Sequence, residues 1–253
     1  MIVGASGRRN GQYTYCDQCS LRRSSCLREF TPGELAFVRQ FKVDELRVGA
    51  GSSFLQQGTN SEYLYTVLKG WAFRYKMLDD GRRQILNFAL PADLVGLQGA
   101  VMREMEHSVE ALTDVVLCVF PRAKLWELYS TYPSLAFDLT WLASREEQII
   151  DENLMNVGRR TARERIAFLL LHLYARAGES GLVSGNTAEF PFTQQHLADT
   201  LGMSLVHTNK TLRRLSAANV FRWKERVFEM LNRPALVEFA GEDARPRAPR
   251  PFI

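Results

Sequence analysis

The stretch Phe192–Phe221, FTQQHLADTLGMSLVHTNKTLRRLSAANVF, constrains this chain more tightly than any other. Thr193 stands where a hydroxyl caps a helix carrying Leu197, Ala198 and Leu201. Gly202 follows, and a tight interhelical turn needs a residue free to take positive φ. Ser204 caps a second helix running to about Ala218. Ala198 is small enough to let two helices cross closely. Cap, apolar stripe, glycine turn and second cap at these offsets specify a helix-turn-helix. Beyond it, Val220–Trp223 and Arg226–Met230 flank Lys224-Glu225, the pattern of a β-hairpin wing with basic residues at its tip.

Charge gathers on the same element. Between Met203 and Phe228 lie Lys210, Arg213, Arg214, Arg222, Lys224 and Arg226 against one acid, Glu225. Such an excess suits a solvated helix face or a polyanion, and its place in the motif favours the polyanion. In a helix-turn-helix the second helix enters the DNA major groove. Leu205, Val206, Asn209 and Lys210 fall on its reading face, with Arg213 one turn on. Asn209 suits adenine, Lys210 guanine and Val206 a thymine methyl. Ser204, His207 and Arg214 are placed for phosphates, which position without reading sequence; His207 reads equally well as a solvated surface residue. Thr193, Gln194 and Lys224 complete the candidate DNA contacts.

The rest of the chain divides by texture into an α+β protein. Residues 1–30 are polar and cysteine-bearing, and are expected to be loose. Thr31-Pro32-Gly33-Glu34 is a capping box with proline at the first helical position, followed by a short helix. From Val43 to Phe120, glycines punctuate short β-rich runs, which suggests a compact antiparallel roll within a domain 31–132. There, Trp71, Phe73 and Tyr75 alternate with Ala72, Arg74 and Lys76, one face buried and one wet, and Asp79-Asp80-Gly81 turns into the run Gln84–Leu90. Residues 133–157 read as one long helix ended by Gly158. Leu135, Leu139, Leu142 and Ile149 form one stripe on it; Phe137 and Trp141 lie on another. A helix apolar on two sides needs two packing partners. The first stripe is assigned to a homodimer contact, with burial inside a monomer as the other reading. The winged helix-turn-helix domain occupies 158–240, and the Pro- and Arg-rich 241–253 reads as a disordered tail.

The layout, a short helix, a β-roll, a long helix and then the winged helix-turn-helix, resembles the CRP/FNR family of bacterial regulators from about Cys16 to Phe239. The helix-turn-helix, Gly70–Leu90 and ALTDVVLCVFP carry the resemblance. It implies a cyclic-nucleotide-binding-like sensor domain and a homodimer on a two-fold symmetric double-stranded DNA site in contact with RNA polymerase. Cyclic-AMP-binding members have a Gly-Glu and an Arg-Ser where this chain reads Val95–Gln98 and His107-Ser108. Without that arginine a buried phosphate lacks its charge partner, which argues against cyclic AMP. Better-known members also carry Glu and Arg at the positions of Val206 and Lys210, so the familiar operator is not expected.

The oxygen-sensing branch of the family holds a [4Fe–4S] cluster on three N-terminal cysteines and one from the roll. Cys16-x₂-Cys19-x₆-Cys26 with Cys118 resembles that set, its second spacing one residue longer. Four thiolates suit a cubane cluster or a tetrahedral zinc; the structural alternative is a buried strand cysteine and three loose thiols. A signal entering through a small molecule in the roll is the other sensing route. A thiol oxidoreductase using Cys16 and Cys19 ranks far below, because that motif normally opens a helix beside a βαβ unit. No catalytic set of residues appears, so no enzyme is expected. Hydrophobic residues make up 46% and charged residues 24%, and no apolar run approaches the ~20 residues that span a bilayer. No secretory signal is seen, and a cytoplasmic protein with no membrane partner is expected.

Overall fold

The structure, a computed structural model, describes residues 13–241 and 249–253. Two one-turn 3₁₀ helices, Cys16–Gln18 and Ser20–Arg23, lead to helix α1 (Pro32–Phe41). Thr31 and Glu34 form the expected capping box on α1. Strands β1 (Asp44–Val48), β2 (Ser53–Leu55), β3 (Tyr63–Lys69), β4 (Ala72–Met77), β5 (Arg83–Ala89) and β6 (Leu94–Val95) follow. Helix α2 (Leu97–Met102), strands β7 (Ser108–Ala111) and β8 (Val115–Pro121), and helix α3 (Leu125–Thr131) complete the first half. Its strands form two antiparallel sheets ordered β1-β8-β3-β6 and β2-β7-β4-β5, the expected roll.

Helix α4 (Pro133–Arg159) is 27 residues long. It runs through Gly158, so the expected stop there is corrected: a glycine costs a helix only about 1 kcal/mol. The chain turns at Arg160 into α5 (Ala162–Glu179), whose cap is a second capping box, Thr161 with Glu164. Strands β9 (Val183–Ser184) and β10 (Thr187–Glu189), helices α6 (Gln194–Leu201) and α7 (Leu205–Ala217), strands β11 (Phe221–Lys224) and β12 (Val227–Met230), and helix α8 (Arg233–Ala240) build the second half. Its sheet has the order β11-β12-β10-β9.

The alternation in β4 is real, but both of its faces are covered. Ala72 packs between the two sheets with Ala89, Val109 and Ala111. Trp71 and Phe73 point away from the roll interior and join Ile85 and Phe88 in a cluster with Ile166, Leu169, Phe190, Phe192 and Leu197 of the second half. Arg74, expected in water, is buried as well. The two halves thus share one core, and the large aromatics of β4 serve the joint between them rather than the roll itself.

The apolar stripe of α4 has a different partner from the one expected. Leu135, Leu139 and Leu142 pack into the chain's own cluster with Phe37, Phe41, Leu64, Phe120 and Leu128, and Ile149 is also buried. The dimer assignment is corrected for Leu135, Leu139 and Leu142, which face α1 and the roll, and Ile149 is buried within the single chain as well. Away from that stripe α4 is open, with Phe137 68% and Leu154 72% exposed and Met155 exposed as well.

The cysteine-bearing segment is tied down over the described residues 13–30. Leu21 and Leu27 are buried. Arg28 donates to Glu34 at 3.1 and 3.2 Å and, through Nε, to Asp138 of α4 at 3.0 Å. With Arg28, Ser134 and the Thr31 backbone as partners, the Glu34 carboxyl titrates at about 2 despite its burial. Residues 1–12 and 242–248 lie outside the described residues. The expected disordered tail is corrected at 249–253, where Arg250, Phe252 and Ile253 are buried.

Candidate nucleic-acid interface

The two helices of the motif begin as their caps dictate. The Thr193 hydroxyl accepts from the backbone N–H of His196, and the His196 imidazole accepts from Thr193 N–H at 3.0 Å. Burial, reinforced by Arg83, pushes the His196 imidazole below its ordinary range. The neutral ring fits the acceptor role that this cap requires. Gly202 ends α6 at φ +60°, the left-handed conformation expected for the turn. The Ser204 hydroxyl accepts from His207 N–H and starts α7.

Leu197, Ala198 and Leu201 on α6 and Leu212 and Leu215 on α7 are buried, which fixes the opposite face of α7 toward solvent. Val206 is 79% exposed there, and Leu205, His207, Lys210, Arg213 and Arg214 share the exposed surface. Asn209 is half-buried, and its Oδ1 has no protein partner. That oxygen is itself shielded from solvent, so it reaches a base edge only if the side chain turns outward. Thr193 and Gln194 lie exposed at the start of α6.

The wing forms from β11 and β12, with Phe221 opposite Met230 and Lys224 opposite Val227. Its turn sits one residue later than the sequence suggests. Glu225 and Arg226 take positive φ, +49° and +70°, as the two central residues of a tight hairpin. Lys224 is therefore the last strand residue, with Arg226 at the tip. Sequence reasoning passed over Arg226 because neither residue is the usual Asn or Gly of such turns.

The motif is held against the roll. Arg83 of β5 grips Asp199 of α6 at 2.8 and 3.0 Å, and Gln84 donates to the Thr200 carbonyl at 2.9 Å. Arg176 of α5 is buried and donates to Asn87 Oδ1 at 2.9 Å, to the Phe88 carbonyl at 2.7 Å and to Asp93. These contacts join residues more than 80 apart in the chain, and no local pattern marks them.

Residues 45–132 match the cyclic nucleotide-binding domain family, and residues 164–239 match the Crp-like helix-turn-helix domain. A probable transcriptional activator of Rhizobium leguminosarum bv. viciae is 30% identical, over 82% of this chain and 85% of its own. The chain belongs to the CRP/FNR family. It is a DNA-binding transcription regulator rather than an enzyme, and α7 is the second helix of its helix-turn-helix. The transcriptional activator protein FnrL of Cereibacter sphaeroides is 28% identical, over 90% of this chain and 93% of its own. Among solved structures, FixK2 of Bradyrhizobium japonicum superposes with a TM-score of 0.71 and 25% identity, covering 80% of this chain and 98% of that one. No described helix is long and apolar enough to cross a membrane.

Two further sites lie on the roll side of this regulator. A cavity of about 580 Å³ opens between the roll and α4, lined among others by Arg74, His107, Gln98, Leu139 and Glu146. Arg74 reaches Glu146 at 2.7 Å and the Leu94 carbonyl at 3.1 Å, while its Nε and His107 Nε2 have no protein partner. Burial, helped by Arg74 and Lys76, lowers the His107 imidazole to about 4. A neutral imidazole there is a poor counter-ion for a cyclic phosphate.

The second site is the cysteine region. Cys16, Cys19 and Cys118 line one small cavity of about 30 Å³, room for roughly two waters. Cys26 is absent from its lining. Burial raises the Cys16 thiol and pushes Cys118 up to about 12, with Lys42 opposing both. Among the described residues, no group of three or more His, Cys, Asp or Glu is placed to hold one metal ion. The four cysteines supply the donor chemistry of a cluster, but the arrangement does not fit one: the cavity is too small, Cys26 is off it, and Phe252 and Ile253 stand in its wall.

Proposed function

We propose that this regulator acts in the cytoplasm as a homodimer on a two-fold symmetric double-stranded DNA site and activates transcription in contact with RNA polymerase. The observation that carries the reading is the exposed, capped start of α7, with Val206 and Lys210 exposed on one face and Asn209 half-buried beside them. A two-fold site needs two copies, and the open side of α4 with Phe137, Leu154 and Met155 is the surface offered to the second. The activating output is carried from the relatives, two of which are named activators. Ser204, His207, Arg214 and Lys224 serve phosphates, while Leu205, Val206, Asn209, Lys210 and Arg213 face the bases. Lys210→Ala is expected to weaken specific binding by about 1–3 kcal/mol and to relax the preference at one base pair in each half-site. Binding to a randomised pool, sequenced before and after selection, measures both; unchanged affinity and preference would move the reading face elsewhere on α7.

A second reading concerns the signal, and the convergence of Cys16, Cys19 and Cys118 on one cavity favours it. In this reading the cysteines sense oxygen or redox state by taking up a [4Fe–4S] cluster, which requires Cys26 to turn inward and the cavity to open. Anaerobic purification tests it: about four irons per chain are expected, on the stoichiometry of a cubane cluster, with a brown colour that bleaches in air. A colourless, iron-free chain would remove the reading and leave the roll cavity beside Arg74 and His107 as the input.

A further inference from the structure

The cavity of about 580 Å³ between the roll and α4 is walled largely by apolar side chains, among them Leu94 of β6, Leu97 of α2, and Leu139 and Leu142 of α4. Val101 and Met102 of α2 and Ile150 of α4 also line it and are exposed, so apolar surface continues to its opening. A lining of this kind holds a small molecule by covering the molecule's own apolar surface, while a few polar groups orient it.

The cations of the lining are already matched. Arg74 pairs with Glu146 at 2.7 Å, Lys76 with Glu106 at 3.5 Å, Arg145 with Glu179 at 2.9 Å and Arg250 with Asp93 at 3.1 Å. No other lysine or arginine lines the cavity. Arg74 and Arg250 also direct donors to backbone, at the Leu94 carbonyl and at the Ala92 and Pro91 carbonyls. His107 adds no charge, because burial, helped by Arg74 and Lys76, lowers its imidazole to about 4. Glu147 and Asp151 of α4 lie exposed in the same lining and add two carboxylates. An anion entering here would leave water and find each cation already held by a carboxylate. A charge taken out of water without a counter-charge is costly, and an uncharged molecule meets no such cost.

We infer that the cavity between the roll and α4 takes an uncharged small molecule with an apolar body and discriminates against anions, cyclic nucleotides among them. Apolar walls supply the affinity, and the saturated ion pairs supply the selectivity. The Arg74–Glu146 pair is the element that sets it, since it neutralises a cation that would otherwise face an anionic ligand. Only the effect on DNA rests on the reading of this cavity as the regulator's input; the ligand class does not.

The test uses the full chain and two dyes that share a phenylnaphthylamine body. N-phenyl-1-naphthylamine is uncharged, and 1-anilinonaphthalene-8-sulfonate carries a sulfonate. Titrated by dye emission, the uncharged dye is expected to saturate and to bind about tenfold tighter than the sulfonate, or more. Leu97→Asp puts a carboxylate in the wall and is expected to weaken the uncharged dye about tenfold. If circular dichroism shows that Leu97→Asp does not fold, Ala143→Phe takes its place, narrowing the cavity from α4. Glu146→Gln releases the Arg74 guanidinium and is expected to raise the affinity of the sulfonate about fivefold or more while leaving that of the uncharged dye unchanged. Equal affinity of the two dyes for the parent chain overturns the proposal. So does an uncharged dye that fails to saturate, one that binds the folded wall variant as it binds the parent, or a folded Glu146→Gln chain with no gain for the sulfonate. Operator affinity with and without the uncharged dye is measured apart: a bound dye that leaves it unchanged removes the cavity as the input and leaves the ligand class standing.

Discussion

Asp93→Ala is expected to cost about 3–5 kcal/mol of stability, measured as a drop in the urea midpoint with little change in slope. Asp93 is buried between two arginines that come from opposite ends of the architecture, Arg176 of α5 and Arg250 of the segment 249–253. It also accepts from Leu90 N–H at 2.7 Å, which sets the bend between β5 and β6. Burial alone would raise its pKa; Arg176, Arg250 and the Leu90 N–H outweigh that, and the carboxyl lies below its ordinary 3.8. The folded value is depressed, so this stabilisation is present above pH 3.8 and is lost as pH falls through the folded value. Removing the carboxylate leaves two guanidinium groups buried without their counter-charge, the costly way to break a buried pair. Removing Asp80 from its exposed pair with Arg82 is the comparison, and should leave the urea midpoint nearly unchanged. A loss at Asp93 as small as that would mean water enters freely between the two halves.

If the chain acts as the proposed homodimer, Leu154→Asp is expected to separate the subunits and lower operator affinity by about 10²-fold or more, because a dimer engages two half-sites with one encounter and a monomer does not. Leu154 is 72% exposed in the single chain, on the α4 face away from the core. Substitution there should leave the monomer fold within about 0.5 kcal/mol of the parent, whereas a carboxylate centred in an apolar interface meets its own copy across the two-fold axis. Sedimentation and a shift assay on the selected palindrome measure the two effects together. A Leu154→Asp chain that remains dimeric with full operator affinity would place the interface off this face. Leu139→Ala should instead lower stability without separating subunits first, since Leu139 packs against the chain's own roll.

These two residues also mark where sequence pattern stops being sufficient. Periodicity showed that α4 carries more than one apolar stripe, which is correct, but it does not say which stripe meets which partner. Leu135, Leu139 and Leu142 are the more regular set and were assigned to the dimer; the fold uses them for its own core because α1 and β3 close over that side. The same limit governs β4, where alternation fixes that Trp71 and Phe73 share a face but not that the face belongs to the joint with the DNA-binding half.

What the sequence by itself determined is local. Thr31, Thr161, Thr193 and Ser204 cap helices with their own hydroxyls, and Gly202 turns where only a residue without Cβ turns cheaply. Those interactions span three or four residues, so their partners are written next to them, and with them came the helix-turn-helix and the exposed face of its second helix. The tertiary structure alone decided the rest. Asp93 gathers Arg176 and Arg250 from positions far apart in the chain, Arg83 fastens Asp199, and a Pro- and Arg-rich end that composition reads as disordered seats Phe252 and Ile253 beside Cys118. A buried ion pair or a lined cavity depends on which surfaces the packed elements bring together. That choice is settled by the burial of the whole core, and no short stretch of sequence records it.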